Sequence, residues 1–340
     1  MRPFQLLVAV IYLLVPSLAS AETWAEKLGY PPEKRVLILH ANYMGAAYEF
    51  NRPGQELLES GRVQSAGLMV PCPWFEEFAQ WCRQHPQHDI GICLTLNSPG
   101  TNYRWQPLGG AQSSSLVDAD GYMWRSELQL AIRADAEQVA EEIDRQIEKA
   151  RRAGVQPSHL LPFMGSLLTR PDLARLYLEV AEKNWIPAVM VELTPKNIES
   201  LQADGFPLTD EVIELVARYP LPKLDDLHFV PVAESYEEKR EKFYELVRGL
   251  SPGITQIIAG PADDTAAMRR MTARWQHRVW ENQLLSDDQV HQFLQDEGIV
   301  LTNWKEIMER FESGASPSLG PAAGETAPPA SSDEAAGQKS

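Results

Sequence analysis

Basic residues are in short supply: 31 Lys and Arg stand against 47 Asp and Glu in 340 residues, a formal net charge of −16 at neutral pH. A nucleic-acid backbone is held by clustered cations that release its counterions. No run of that kind occurs along the chain, so nucleic acid is not expected as a partner, and the acidity reads as a solubility feature. Cysteine is scarce too, at three residues, Cys72, Cys82 and Cys93. Their spacing matches no zinc ribbon or finger, and a packed apolar thiol is the ordinary state of such residues. Cys72 and Cys82 flank a helix expected to begin near Pro73 and could pair in an oxidising compartment, leaving Cys93 over. The apolar run from Phe4 to Val15 falls short of the about 18–20 residues that span a bilayer. With Arg2 before it and Ala19-Ser20-Ala21 after it, the run reads as a cleavable secretory leader over residues 1–21. The mature chain would start at Glu22 in a periplasmic or extracellular space, with no stable membrane span. An uncleaved anchor is the alternative reading.

What is present is an alternation of short β-rich runs with helical periodicity, the pattern of parallel strands joined by crossover helices. Strands are expected at Val36–Ala41, Val63–Val70, Ile90–Leu96, Ser158–Phe163, Ala188–Glu192, Leu227–Val232, Thr255–Gly260 and Ile299–Asn303. Eight such runs fit a barrel. Asp135 is placed to cap a helix whose Val139, Ile143 and Ile147 share a face, ended by Gly154 and Pro157. Ser235 with Glu238, and Ser286 with Gln289, have capping-box spacing. Leu173, Leu176, Tyr177 and Val180 form another inward stripe. Residues 22–312 make one barrel-sized domain, and residues 313–340, rich in Gly, Ala, Ser, Pro and acid, are expected to form a disordered tail.

Four segments carry a family resemblance in order and spacing: Arg35 through Gly45, Asp89 through Leu96, Gly154 through Gly165, and Gln256 through Ala262. Together they resemble the YdjC family of carbohydrate deacetylases, the ChbG/HpnK-like group. The resemblance implies an α/β fold, an irregular TIM-like (β/α) barrel of the YdjC and polysaccharide-deacetylase kind. It also implies a divalent metal held by one Asp and two His, a second Asp as base, and a His near the end of the chain. This sequence departs from that pattern at each chemical position. Asn42 stands at the base and Tyr43 at the metal-binding Asp. Cys93 and Phe163 stand at the two metal-binding histidines, Leu161 at a further Asp, and Gly260 at the late His. Only His159 survives.

The departures bear on chemistry. A divalent metal polarises the carbonyl and brings the pKa of bound water from 15.7 to roughly 7. Phe163 has no lone pair, Tyr43 would have to ionise a phenol of pKa about 10, and a lone Cys93 thiolate is not a three-ligand site. Asn42 cannot hold a proton at neutral pH, and Gly260 supplies no imidazole. The expectation is therefore no catalytic residue intact, no metal, no other cofactor, and a pseudoenzyme. His159 reads either as a remnant at the barrel mouth or as a hydrogen-bonded structural residue; His40 reads as packed. Cys93 and His159 as a thiol and its base lack an orienting third group.

Large aromatics supply the remaining functional signal. Tyr103 and Trp105, with Arg104, lie in a long excursion from Leu96 to Trp124, after the third strand, on the face where barrels build their sites. With His159 they are candidate contacts for an oligosaccharide or acetylated sugar bound without cleavage. Tyr103 and Trp105 read equally as lid residues that close the barrel over a filled pocket. Two other readings of the whole protein stand beside sugar binding: a working deacetylase with an unorthodox ligand set, and a structural or interaction protein whose pocket is filled.

Overall fold

The computed structural model describes residues 22–314 apart from 204, 206 and 207, so the expected leader and nearly all of the expected tail lie outside the described residues. Seven parallel strands form the sheet: β1 (Arg35–Met44), β2 (Ser65–Leu68), β3 (Ile90–Leu94), β4 (Leu160–Pro162), β5 (Asp226–Phe229), β6 (Gly253–Ala259) and β7 (Val300–Leu301). Their order is β4-β3-β2-β1-β6-β5, and β7 pairs with the first half of β1, Val36 opposite Val300. Strands β2, β3, β4 and β6 are buried on every residue, and β1 on all but Arg35 and Tyr43. That is why these runs read as continuous apolar segments rather than as alternating ones.

Residues 188–192 are not a strand of the expected length. They make two single backbone bridges, Leu160 to Ala188 and Val191 to Leu224. Those bridges, with Val189 N–H donating to Leu160 O at 2.8 Å and Leu224 N–H to Met190 O at 2.9 Å, link β4 to the segment entering β5 and complete the irregular barrel.

Helices cover the outside: α1 (Trp24–Lys27), α2 (Tyr48–Glu59), α3 (Phe75–Gln84), α4 (Glu127–Arg133), α5 (Ala136–Arg152) and α6 (Pro171–Asn184), with Tyr236–Arg248, Trp275–Ser286, Asp288–Asp296 and Trp304–Glu312 among the later ones. Asp135 caps α5 by accepting from the amides of Glu137 and Gln138, and Val139, Ile143 and Ile147 face inward as their spacing predicts. Ser235 caps the helix at Tyr236 by accepting from Glu238 N–H, while the Glu238 carboxylate takes the amide of Glu234. The expected cap at Ser286 is displaced by one residue. Ser286 ends the preceding helix, and Asp287, whose carboxylate accepts from Gln289 N–H at 2.8 Å, caps the next. A carboxylate is at least as good as a hydroxyl there and also favours the positive end of the helix. In the α6 stripe Leu173, Tyr177 and Val180 are buried and Leu176 is partly so. Cys72, Cys82 and Cys93 are three separate buried thiols. Among the described residues, no helix is long and apolar enough to cross a membrane.

Candidate functional site at the barrel mouth

The C-terminal ends of the strands bring Asn42, Tyr43, Cys93, Leu161, Phe163 and Gly260 to one end of the barrel. Cys93 is in register with Leu161 across β3 and β4, and Ala41 with Ala259 across β1 and β6. Tyr43 sits at φ 75°, in the left-handed region that a bulky side chain seldom adopts. Strain of this kind persists only where neighbours hold the residue in place. Asn42 Oδ1 accepts from Tyr43 N–H at 2.9 Å, the Tyr43 ring stacks on Phe50 with centroids 5.1 Å apart, and it meets Phe163 edge-on at 5.8 Å.

The fourth anchor is Arg278, a residue that no motif singles out. Its Nη2 donates to the Tyr43 hydroxyl at 2.8 Å and its Nη1 to Glu281 Oε2 at 3.1 Å. Glu281 Oε2 also accepts from the backbone N–H of Gly260 at 2.6 Å, and Oε1 lies 3.0 Å from His277 Nε2. The carboxylate is 3% exposed and the guanidinium 16%. Burial pushes the Tyr43 phenol up, against a smaller opposite pull from Arg278, so it stays neutral. Burial would raise Glu281, but His277, Arg278 and the Gly260 amide together hold it below the ordinary range.

Gly260 is a requirement of this arrangement. A Cβ built there would lie 2.6 Å from Arg278 Nη1 and 2.7 Å from both Cδ2 and Cε2 of Tyr43. The volume that a side chain at 260 would fill belongs to Tyr43 and Arg278.

The donor set at the mouth does not suit a divalent cation. Burial pushes the Cys93 thiol up to about 12 despite its hydrogen bond with Asn42, the Tyr43 phenol is neutral, and Phe163 offers no donor. The cation beside them, Arg278, is already paired with the Glu281 carboxylate. Among the described residues, no group of three or more His, Cys, Asp or Glu is placed to hold a metal ion.

His159 lies deeper than a contact residue would. It precedes β4, is fully buried, and approaches Asp89 Oδ1 at 3.3 Å and Ser158 Oγ at 3.0 Å through Nδ1. Its ring packs on Trp304 and edge-on to His40, with centroids 5.7 and 5.2 Å away, in space left by Gly91, whose Cβ would fall 2.3 Å from His159 Nε2. The structural reading of His159 is the one its burial fits, and His40 is packed as expected. A residue enclosed to this degree cannot touch a sugar.

Burial, and secondarily His159, depress the His40 pKa well below 6.5, against an opposing pull from Asp89. Below pH 6.5 the unfolded chain therefore takes up a proton that the folded protein refuses, and stability falls with pH. His40→Leu should flatten the slope of unfolding free energy between pH 6.5 and about 5, with His159 and Asp89 still present. Urea titrations at stepped pH measure this, and an unchanged slope would contradict it.

The excursion from Leu96 to Trp124 covers the mouth. Trp105 is 8% exposed, its indole N–H donates to Asn97 O at 2.9 Å, and its ring lies 6.3 Å from Phe163. Tyr103 is half-buried, packs edge-on to Trp105, and donates its hydroxyl to Ala46 O. Arg104 pairs with Asp118 at 2.7 Å. These residues form a cover in which the Trp105 ring is enclosed and its polar edge is used, an arrangement in keeping with rings that close the barrel over a filled pocket.

Among the exposed aromatics on this face, Phe229 ends β5 alone, while Tyr48 and Trp74, 44% and 41% exposed, form a pair where the chain leaves β1 and β2. Their centroids are 5.3 Å apart. Asn51, fully buried, fixes the base beneath them by accepting from Gly45 N–H at 2.6 Å and donating to Trp74 O at 3.0 Å. Turn composition alone does not reveal which of several aromatics stays uncovered.

Comparison with known proteins agrees with the barrel and its order of segments. A carbohydrate deacetylase of Thermus thermophilus is 31% identical over 261 residues, covering 77% of this chain and 90% of that protein. A carbohydrate deacetylase of Thermoanaerobacter pseudethanolicus is 25% identical over 271 residues, 79% of this chain and 98% of that one. The solved structure of a proposed cellobiose-phosphate cleavage protein from Enterococcus faecalis has the same fold, with a TM-score of 0.66 at 21% identity over 81% of this chain and 99% of that chain. The sequence profile of the YdjC-like protein family matches residues 36–296, and the chain belongs to that family.

Proposed function

We propose that this carbohydrate deacetylase homologue is an exported pseudoenzyme that binds a carbohydrate at the strand C-terminal face without hydrolysing it. The observation that carries the reading is the Tyr43–Arg278–Glu281 linkage. It puts a guanidinium–carboxylate pair, with its groups already committed to each other, and a neutral phenol at the mouth, which on this reading leaves hydrolysis without a Lewis acid. No metal is required. The related deacetylases make a saccharide, such as an N-acetylated oligosaccharide, the natural class of ligand. Tyr48 and Trp74 offer it two uncovered rings on a rigid base, and aromatic faces suit the C–H side of a pyranose.

The test pairs two measurements. Acetate release from N-acetylated oligosaccharides, with zinc or cobalt added, should not exceed the protein-free rate; metal-dependent turnover would restore the active-deacetylase reading. Glycan-array or calorimetric binding should weaken about tenfold in Trp74→Ala, equivalent to ~1.4 kcal/mol. Absence of binding to any glycan would favour the filled-pocket interaction protein, a reading that draws on the closed cover of Trp105 and Phe163.

A further inference from the structure

We propose a second site, an anion-binding cleft on the outer wall of the barrel between α3 and α5, suited to a phosphate or sulfate monoester. The cleft is open to solvent, measures about 520 Å³, and has Arg83, Arg145, Lys149, Arg152, Glu76 and Leu108 in its lining. That volume lies within the range of small-molecule sites. The lining thus carries four cations and one carboxylate, with Glu141 and Glu148 just outside it, in a chain whose net charge is −16.

The manner in which the cations are held matters more than their number. Arg83 donates to the Ala153 carbonyl at 2.7 Å, reaching from the end of α3 to the end of α5. Lys149 donates to the Val70 carbonyl at 3.3 Å and stands 4.6 Å over the Phe75 ring. Among the described residues neither has a carboxylate within ion-pairing distance. Both are positioned by neutral groups, which orient a charge without cancelling it. Arg145 and Arg152 pair with Glu141 and Glu148 one turn back on α5, at 2.9 and 2.5 Å. Nη1 of Arg145 is nevertheless enclosed with no hydrogen-bond partner.

Helix ends attract cations, which accounts for Arg83, Lys149 and Arg152 in last turns. It does not account for Arg145, further back on α5, nor for convergence from two helices on one hollow. A dianionic oxyanion uses several donors at once and matches guanidinium forks better than a single carboxylate does.

Titration of the full-length protein at low salt with inorganic phosphate, a hexose 6-phosphate and a sulfated heparin oligosaccharide tests the site. At least one should bind with Kd of about 1 mM or tighter, and binding should weaken as salt rises toward 0.15 M, where screening shortens to about 8 Å. Binding of the small anions indicates a free metabolite source, and selective binding of the oligosaccharide a polymer source. Arg145→Gln, at a half-buried position of α5, with Arg152→Gln, at an exposed one, should weaken binding at least tenfold, with folding checked by circular dichroism. Trp74→Ala should leave it unchanged, which separates this cleft from the face proposed for neutral sugar. No binding by any of the three probes, or equal binding by the double variant, would overturn the site.

Discussion

Arg278→Met should destabilise the protein by about 3–5 kcal/mol, the usual cost of removing one partner from a buried ion pair. The loss is not mainly that of the attraction itself. Glu281 would remain in the interior, 3% exposed, with His277 and the Gly260 amide as its remaining partners. An uncompensated buried carboxylate responds by protonating, so its pKa should rise from its present lowered position. The sign of the pH dependence follows. In the native protein the lowered Glu281 contributes stability that is present above its unfolded pKa of 4.5 and lost as pH falls through the folded value. The variant lacks that contribution, so the gap between the two proteins should be widest near neutrality and should narrow below pH 4.5. Arg278→Lys should recover only part of the loss, because one ammonium cannot hold the planar fork that reaches Tyr43 and Glu281 together. Urea unfolding at several pH values reads all three proteins. A change below about 1 kcal/mol for Arg278→Met would show that the linkage does not bear on stability.

Much of the barrel was legible because its signals are local. Buried parallel strands leave continuous apolar runs, and Asp135 precedes an amphipathic stretch whose period is visible in one turn after another. The unread parts depend on tertiary choice. Ala188–Glu192 has the composition of a strand but is limited to two single bridges. Ser286 and Asp287 both had the chemistry of a cap, and the structure uses the carboxylate. At the mouth, the resemblance points to Tyr43, Cys93 and Phe163 as the positions to inspect, yet carries no hint of the Arg278–Glu281 pair beside them. Tyr43 and Arg278 are 235 residues apart, and an Arg-x-x-Glu step on a helix is an ordinary surface pattern. Trp105 could be read either as a sugar contact or as a lid residue for the related reason that loop position does not determine burial; its indole N–H has a carbonyl partner inside the cover.

Gly260→His, which restores the residue the family resemblance places there, should destabilise the protein rather than repair it. The Cβ alone would stand 2.6–2.7 Å from Arg278 and the Tyr43 ring, and overpacking of a filled site costs about 1–3 kcal/mol. The guanidinium end could shift, but Tyr43 is held by its backbone conformation, by Phe50 and by Phe163. The collision should therefore be relieved only when Tyr43 is also made small. In a double-mutant cycle, Gly260→His with Tyr43→Asp should show a favourable coupling of about 0.5–3 kcal/mol, the range for residues in direct contact. Tyr43→Asp alone should give a carboxylate paired to Arg278 instead of a free ligand, since the guanidinium already donates to the atom being replaced. Each single step back toward the family pattern is thus opposed by the residues already in place, and only steps taken together avoid the clash. Denaturant midpoints of the two single variants and the double variant decide the matter, and simple additivity would remove the physical basis for treating Tyr43, Gly260 and Arg278 as one unit.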